Sequence, residues 1–159
     1  MTQTKVSLAK ALKLKNRVAG KISKLNQTIQ AYNSTQQTAE QIDVRAAYGE
    51  RAELVRQLTD LTFAIASANT TIQRDIFELA ELKAEVALLA SLNTKHGTVV
   101  EGYQTAQVTY VAQFRKSDVD RMNEALETRI DALQDKLDTF NAQTMISVDE
   151  ATVADGETK

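Results

Sequence analysis

Apolar residues near the start of the chain recur at helical spacing. The interval between them alternates between four and three residues along Val18, Ile22, Leu25, Ile29 and Tyr32. This alternation keeps the side chains on one side of a helix, where they can pack against a second helix. Ser7 precedes the pattern and has a side chain suited to an N-cap. We therefore predict a first helix over about residues 7–33, followed by a polar connection.

The same alternation resumes after this connection and continues to about residue 92. Its first part consists of Leu54, Leu58, Leu61, Ile65, Ala68 and Ile72. We predict a second helix over about 44–92, continuous or only kinked, because neither glycine nor proline interrupts it at Asn69–Thr71. A break there is the alternative, since Thr70 and Gln73 have the spacing of a capping box.

The period of the pattern then changes from helical to alternating. Val108, Tyr110, Ala112 and Phe114 alternate with Thr109, Val111 and Gln113. Alternation of β-branched and aromatic residues is typical of a strand. We predict a small β element over about 98–114, either a hairpin or one strand that pairs with another subunit.

A third amphipathic helix is predicted over about 118–140. Ser117 is placed to cap it, and its apolar positions are Val119, Met122, Leu126, Ile130, Leu133, Leu137 and Phe140. Thr144–Val148 has the pattern of a short strand. Residues 149–159 are mostly polar and acidic, so we predict a disordered tail after a single helical domain over 1–148.

These elements predict a mainly α fold. The expected architecture is a long antiparallel helical hairpin or a three-helix coiled-coil bundle, with a small β-hairpin. A monomer of this kind would leave the apolar stripe of the second helix partly exposed, so we predict a homo-oligomer. The residues expected to form the oligomer seam are Leu54, Leu58, Leu61, Ile65 and Ile72.

Composition narrows the possible classes of protein. The chain has 159 residues, of which 43 % are hydrophobic and 25 % are charged, values typical of a folded domain. It contains no cysteine, which excludes disulfides, thiolate zinc sites and thiol nucleophiles. The longest apolar run, Val86–Ala90, is far shorter than the about 20 residues of a membrane-spanning helix. We expect a cytoplasmic protein with no integral membrane segment and no signal peptide.

No residue pattern in the chain predicts catalysis. His96 is the single histidine, and it has no second histidine or cysteine with which to bind a metal ion. Its place before Gly97 is typical of a helix end or loop. The five glycines form no phosphate-binding or nucleophile-elbow motif. We therefore predict a protein that is not an enzyme and that has no metal and no cofactor.

Positive charge is concentrated in the first predicted helix. Lys10, Lys13, Arg17, Lys21 and Lys24 are separated by three or four residues and form one stripe, which we call the basic stripe. Such a stripe is a candidate anion-binding site, for the phosphates of a nucleotide, of nucleic acid or of a membrane surface.

The favoured alternative is that the basic stripe pairs with the third helix. That helix has an acidic stripe of matching spacing, formed by Glu124, Glu127, Asp131, Asp135 and Asp138. Nucleic acid is the less favoured ligand, because the net charge of the chain is −2 and its aromatic residues are few.

Three segments resemble the septicolysin-like family of small helical bacterial and phage-associated proteins. They are the opening segment Ser7-Leu8-Ala9-Lys10-Ala11-Leu12, the middle segment Ile65-Ala66-Ser67-Ala68-Asn69, and the closing segment Arg129-Ile130-Asp131-Ala132-Leu133-Gln134 with Asn141. The resemblance extends over most of residues 7–148. It implies a long helical hairpin with a small β element that assembles into a homo-oligomer, and it implies no catalytic residues.

The leading functional prediction is a non-enzymatic, oligomeric helical scaffold or protein-interaction module. The alternative is an oligomeric ligand-binding protein that sequesters a small anion or nucleotide through the basic stripe. A further alternative is peripheral binding to nucleic acid or to a membrane through the same helix. The expected partners are thus a second copy of the chain, another protein, or a small anionic ligand.

Overall fold

The computed structural model describes residues 2–36, 42–101 and 106–157. In chain order its elements are β1 (Gln3–Ser7), α1 (Leu8–Tyr32), α2 (Val44–Ala68), α3 (Gln73–Ser91), β2 (Gly97–Glu101), β3 (Ala106–Tyr110), α4 (Lys116–Gln143), β4 (Met145–Asp149) and α5 (Glu150–Glu157). The predicted class, mainly α with a small β-hairpin, is confirmed. Among the described residues, no helix is both long and apolar enough to cross a membrane.

The chain divides into two compact units, and the single domain over 1–148 stays a prediction. The first unit combines Met1–Thr71 with Asp138–Lys159, and the second unit is Ile72–Leu137. The two ends of the chain therefore fold together in the first unit, and the middle of the chain forms the second.

An antiparallel pair of helices, α1 and α2, forms the main part of the first unit. Ser7 caps α1, since its hydroxyl accepts a hydrogen bond from the backbone N–H of Lys10 at 3.2 Å. Asp43 caps α2 in the same way, through the N–H of Ala46 at 2.9 Å. The predicted cap at Ser7 is confirmed.

Two apolar clusters hold this helical pair together. The larger cluster consists of Val6, Leu8, Ala11, Leu14, Leu61, Ile65, Ile146 and Val148. The smaller cluster packs Val18 and Ile22 of α1 against Leu54 of α2. Early positions on α1 thus contact late positions on α2, and later ones contact earlier ones, as an antiparallel hairpin requires.

Strands β1 and β4 join the two ends of the chain. They pair antiparallel from Gln3 opposite Asp149 to Ser7 opposite Met145. Ile146 and Val148 of β4 are buried while Met145 and Ser147 are exposed, which is the alternation of a strand with one face on a core. The predicted short strand at Thr144–Val148 thus corresponds to β4. The strand β1 was not predicted, because it is short and lies directly before a strong helical pattern.

The second unit is a helical hairpin that carries a β-hairpin between its helices. Lys136 of α4 forms an ion pair with Asp75 of α3 at 2.7 Å, and Arg129 forms one with Glu78. Asp75 comes before Glu78 on α3, but its partner Lys136 comes after Arg129 on α4. The two helices therefore run antiparallel.

The β-hairpin pairs Gly97 with Tyr110 at one end and Glu101 with Ala106 at the other. The backbone of Gly97 has a φ of 91°, a conformation that residues with a Cβ rarely adopt. Glycine at this position therefore allows the chain to turn from the helix into the strand. The β element is therefore confirmed as a hairpin within one chain. Ala112 and Phe114 lie beyond β3, and residues 102–105 lie outside the described part.

The predicted helix over 44–92 is not continuous. It ends at Ala68, a 3₁₀ turn occupies Asn69–Thr71, and α3 begins at Gln73. The Thr70 hydroxyl donates a hydrogen bond to the carbonyl of Ser67 at 2.8 Å instead of capping α3. Side chains that compete for backbone carbonyls disfavour the helix, and Asn and Thr are mediocre helix formers. These polar residues end the helix without glycine or proline.

Two further boundaries differ from the predictions. The helix α4 begins at Lys116, so Ser117 lies inside it, and the Asp118 carboxylate accepts a hydrogen bond from the backbone N–H of Arg115 at 3.1 Å. The tail predicted to be disordered forms α5 over Glu150–Glu157, so that prediction is wrong for this segment. Asp149 starts α5 by accepting a hydrogen bond from the N–H of Ala151 at 3.1 Å.

We expect Leu61→Ala to lower the free energy of unfolding by about 2–5 kcal/mol, because Leu61 is 2 % exposed and its loss leaves a cavity in the larger cluster. The measurement is urea denaturation followed by circular dichroism. Leu88→Ala is the matched control, since Leu88 of α3 is 59 % exposed, and it should change stability by no more than about 0.5 kcal/mol. Equal effects of the two substitutions would contradict this assignment of the core.

Candidate functional site

The residues predicted as the oligomer seam lie inside the fold. Leu54, Leu61, Ile65 and Ile72 are between 2 and 6 % exposed, and Leu58 packs against the smaller apolar cluster. The four members on α2 face α1 and the strands of the same chain. The prediction that they form an oligomer seam is therefore wrong: α1 and the strands already cover the four members on α2, and Ile72 is also buried within the chain.

A second stripe on α2 is exposed, and we call it the α2 face. It consists of Tyr48, Ala52, Val55, Thr59, Thr62, Phe63 and Ala66, all of which are exposed. The tyrosine and the phenylalanine are 61 % and 74 % exposed, unusual values for large aromatic side chains. Leu58, Thr59, Thr62, Phe63 and Ala66 line an open groove on this face. The helix α2 thus has one buried and one solvent-exposed apolar stripe.

The sequence contains a signal for the α2 face that the predictions from the leucine-rich stripe did not include. Positions 48, 52, 55, 59, 62 and 66 alternate by four and three residues. Positions 55, 59, 62 and 66 each lie one residue after a member of the leucine-rich stripe, namely Leu54, Leu58, Leu61 and Ile65. Alanine and threonine make this second pattern weak, so the leucine-rich stripe masks it.

Charged residues border the α2 face on one edge. The guanidinium of Arg56 contacts Glu53 at 2.5 Å and Asp60 at 3.1 Å, and lies 4.0 Å from Asp149. The hydrogen bond from Arg56 lowers the pKa of the Glu53 carboxyl, an effect that desolvation partly opposes. The same hydrogen bond raises the pKa of Arg56. Glu53 and Arg56 are therefore both charged at neutral pH.

The basic stripe lies along α1, as its spacing predicts. Lys10, Lys13, Arg17 and Lys24 are exposed, and Lys21 is half-buried. The Arg17 guanidinium donates a hydrogen bond to the carbonyl of Gly156, at the end of α5, at 3.0 Å. A cation at the carboxyl end of a helix is favourable because that end carries partial negative charge. One member of the stripe thus has a structural contact within the chain.

The predicted pairing of the basic stripe with the acidic stripe stays a prediction. The described ion pairs between α4 and α3 involve bases of α4, Arg129 and Lys136, and acids of α3. In these ion pairs α4 therefore contributes the positive charges, whereas the acidic stripe of α4 would contribute negative charges.

A polar contact fixes α5 to α2. Gln57 is 2 % exposed, and its side-chain amide donates a hydrogen bond to the Asp155 carboxylate at 3.0 Å. Its own oxygen is buried without a hydrogen-bond partner in the part of the chain that the structure describes. A buried amide that is only partly satisfied adds little net stability, but it favours one position of α5 over others.

A small cavity lies between α2 and β4. It has a volume of about 210 Å³ and is lined by Gln3, Asp60, Leu61, Ala64, Ser147, Val148, Asp149 and Thr152. Its two carboxylates are those that neighbour Arg56. Within residues 2–36, 42–101 and 106–157, no group of three or more possible ligands is placed to hold a metal ion.

His96 has a local structural contact. Its Nδ1 accepts a hydrogen bond from the backbone N–H of Ala112 at 3.2 Å, across the open end of the β-hairpin. This contact agrees with the loop position that the sequence indicates. Nearby, the Lys95 ammonium lies 5.3 Å from the centre of the Tyr110 ring, within the range of a cation–π interaction.

We expect Gly156→Ala to detach α5 from α1. A Cβ at position 156 would clash with the Cδ2 of Leu14, and Leu14 is 2 % exposed and has little room to move. Overpacking of this kind typically costs about 1–3 kcal/mol. Hydrogen exchange of the α5 amides is the measurement, and it should become faster in the variant.

Gly20→Ala is the matched control for this substitution. Gly20 lies inside α1 with no neighbouring atom within 4 Å of an added Cβ. The control should therefore raise stability by about 0.5–1 kcal/mol and leave exchange in α5 unchanged. Unchanged exchange in Gly156→Ala would show that α5 does not depend on this close approach.

Comparison with known proteins finds no matching family model, no similar curated protein and no similar solved structure. The resemblance to the septicolysin-like family therefore stays a prediction. A functional assignment depends on the surfaces described above, and on the α2 face and the basic stripe first.

Proposed function

We propose that the protein is a non-enzymatic helical scaffold whose copies associate through the α2 face. The observation that carries this proposal is the exposure of Tyr48 and Phe63, at 61 % and 74 %, on a helix whose other apolar stripe is already buried. A surface helix normally has one apolar stripe and polar residues elsewhere. A second, exposed stripe with large aromatic residues is typical of an interaction surface.

The length of the α2 face supports a helix-to-helix contact. From Tyr48 to Ala66 the face is about 27 Å long at about 1.5 Å per residue. It presents small residues between its two aromatic residues, which allows another helix to approach closely. The strength of such a contact depends on a few large, central or pocket-filling side chains, of which Phe63 is the most exposed on this face.

We expect the protein to self-associate with rising concentration, and we expect Phe63→Asp to weaken this association at least tenfold. A carboxylate at this position would have to lose its hydration in the apolar contact. The measurement is light scattering coupled to size-exclusion chromatography over a range of micromolar concentrations.

Phe77→Asp is the control for this test. Phe77 is 62 % exposed, and it lies on α3, outside the α2 face. The control changes charge and hydrophobicity by the same amount and should leave self-association unchanged. A parent protein that remains monomeric at all concentrations, or equal effects of the two substitutions, would contradict the proposal.

Anion binding by the basic stripe is the second candidate. It is favoured by the charge of α1, on which all charged residues are positive and most are exposed. Phosphate groups of a nucleotide or of an anionic lipid share the chemistry that such a stripe would bind. Lys13 and Lys24 are the members best suited to a test, because both are exposed on the helix surface.

We expect the double substitution Lys13→Glu with Lys24→Glu to abolish salt-sensitive binding of ATP, measured by calorimetry, or of vesicles with anionic lipid, measured by sedimentation. Arg74→Glu with Lys83→Glu, two exposed positions on α3, is the control with the same change in net charge. Loss of binding in both double variants would indicate a net-charge effect. No binding by the parent protein to either probe would exclude this candidate.

A further inference from the structure

We propose that α5 is a displaceable strap, which competes with phosphate groups for the basic stripe at Arg17. In this proposal, which rests on the anion-binding candidate above, α5 regulates that site. The carbonyl of Gly156 accepts a hydrogen bond from the Arg17 guanidinium at 3.0 Å when α5 is docked. A phosphate oxygen is an acceptor for the same guanidinium, so α5 and a bound phosphate share one donor group.

The charge of α5 suits it to this competition. Between Glu150 and Glu157 the helix has three acidic residues and no basic residue, whereas α1 has six basic residues and no acidic residue. The carboxyl end of α5, which carries the partial negative charge of a helix, is the end that lies at Arg17. Docked α5 therefore lowers the positive potential that a phosphate group would meet near Arg17, and its release raises that potential.

The docking of α5 is weak for a segment that lies on the core. Its inner side is formed by Thr152 and Gly156, two small buried residues one helical turn apart. Val153 is its one large apolar residue, and it packs half-buried against the larger cluster. Segments with few buried apolar contacts open at a small cost in free energy. A ligand of moderate affinity can therefore displace α5 while the rest of the first unit stays folded.

Two polar contacts hold the last turn of α5, and a phosphate group at Arg17 would remove one of them. The other is the hydrogen bond from Gln57 to Asp155, and the oxygen of this glutamine has no hydrogen-bond partner among the described residues. Linkage makes the effect reciprocal. The factor by which a bound phosphate weakens the docking of α5 is also the factor by which release of α5 strengthens phosphate binding.

The first measurement is hydrogen exchange of the α5 amides in the full chain. One sample contains ATP and another contains vesicles of phosphatidylcholine and phosphatidylglycerol, each compared with the free protein at equal ionic strength. We expect α5 amides to exchange about fivefold faster or more with the probe bound. Exchange at Leu54 and Leu61 in the core of α2 should not become faster. The probe that has this effect distinguishes a nucleotide from a lipid headgroup as the source of the phosphate.

The second measurement is the affinity of variants in which α5 is loosened, with the same probes. Gly156→Ala opposes the close approach to Leu14, and Gln57→Leu removes the amide that holds Asp155 while it keeps the buried position filled. Each should bind the probe about fivefold more tightly or more than the parent protein. Neither substitution changes the net charge, so a gain in affinity is not a general charge effect.

Gly20→Ala is the matched control, since it adds the same methyl group to α1 where no atom lies within 4 Å of it. Its affinity for the probe should equal that of the parent protein. Circular dichroism of each variant shows whether it is folded, and Gln57→Leu decides the test if Gly156→Ala does not fold.

The outcomes separate the strap from the anion-binding candidate. Faster α5 exchange with a probe, together with tighter binding by the loosened variants, supports the strap. Salt-sensitive binding by the parent protein without both of these effects overturns the strap and leaves anion binding by the basic stripe standing. No binding of either probe by the parent protein overturns both.

Discussion

The packing of α1 against α2 is the interaction on which the first unit depends. Leu8, Ala11 and Leu14 are almost fully buried against Leu61 and Ile65, and β1 and β4 extend the same cluster. Burial of large apolar side chains typically contributes about 1.5–3 kcal/mol each, so this cluster outweighs the exposed ion pairs. The strand pair brings the two ends of the chain to this core, and α5 can then reach α1 and α2.

Polar contacts determine position rather than stability in this unit. The amide of Gln57 holds Asp155, and Arg17 holds the carbonyl of Gly156, so α5 is fixed at two places along its last turn. Glycine at position 156 allows the backbone of α5 to approach Leu14 closely. The segment has few apolar residues of its own, and its helix therefore depends on these tertiary contacts. This dependence explains why a polar tail becomes ordered.

The two apolar stripes of α2 connect the fold to the proposed function. One stripe is covered by α1 and the strands, and its leucines and isoleucine are the residues that a heptad pattern would assign to an oligomer contact. The other stripe is less hydrophobic and exposed, with aromatic residues separated by small ones. A reversible contact suits this second stripe, because residues such as alanine and threonine can also remain in water at little cost.

The sequence by itself determined the helices, the β-hairpin and the charge of α1, because local periodicity and capping residues such as Ser7 encode them directly. The tertiary structure decided what each apolar stripe contacts. Leu54 and Leu61 would show the same sequence pattern whether a helix of the same chain or a helix of another copy covered them. Only the packing of α1 against α2 in the folded chain shows that the covering helix belongs to the same chain. The strand β1 and the helix α5 also depended on the tertiary structure, since weak local preferences there are settled by contacts between residues far apart in the chain.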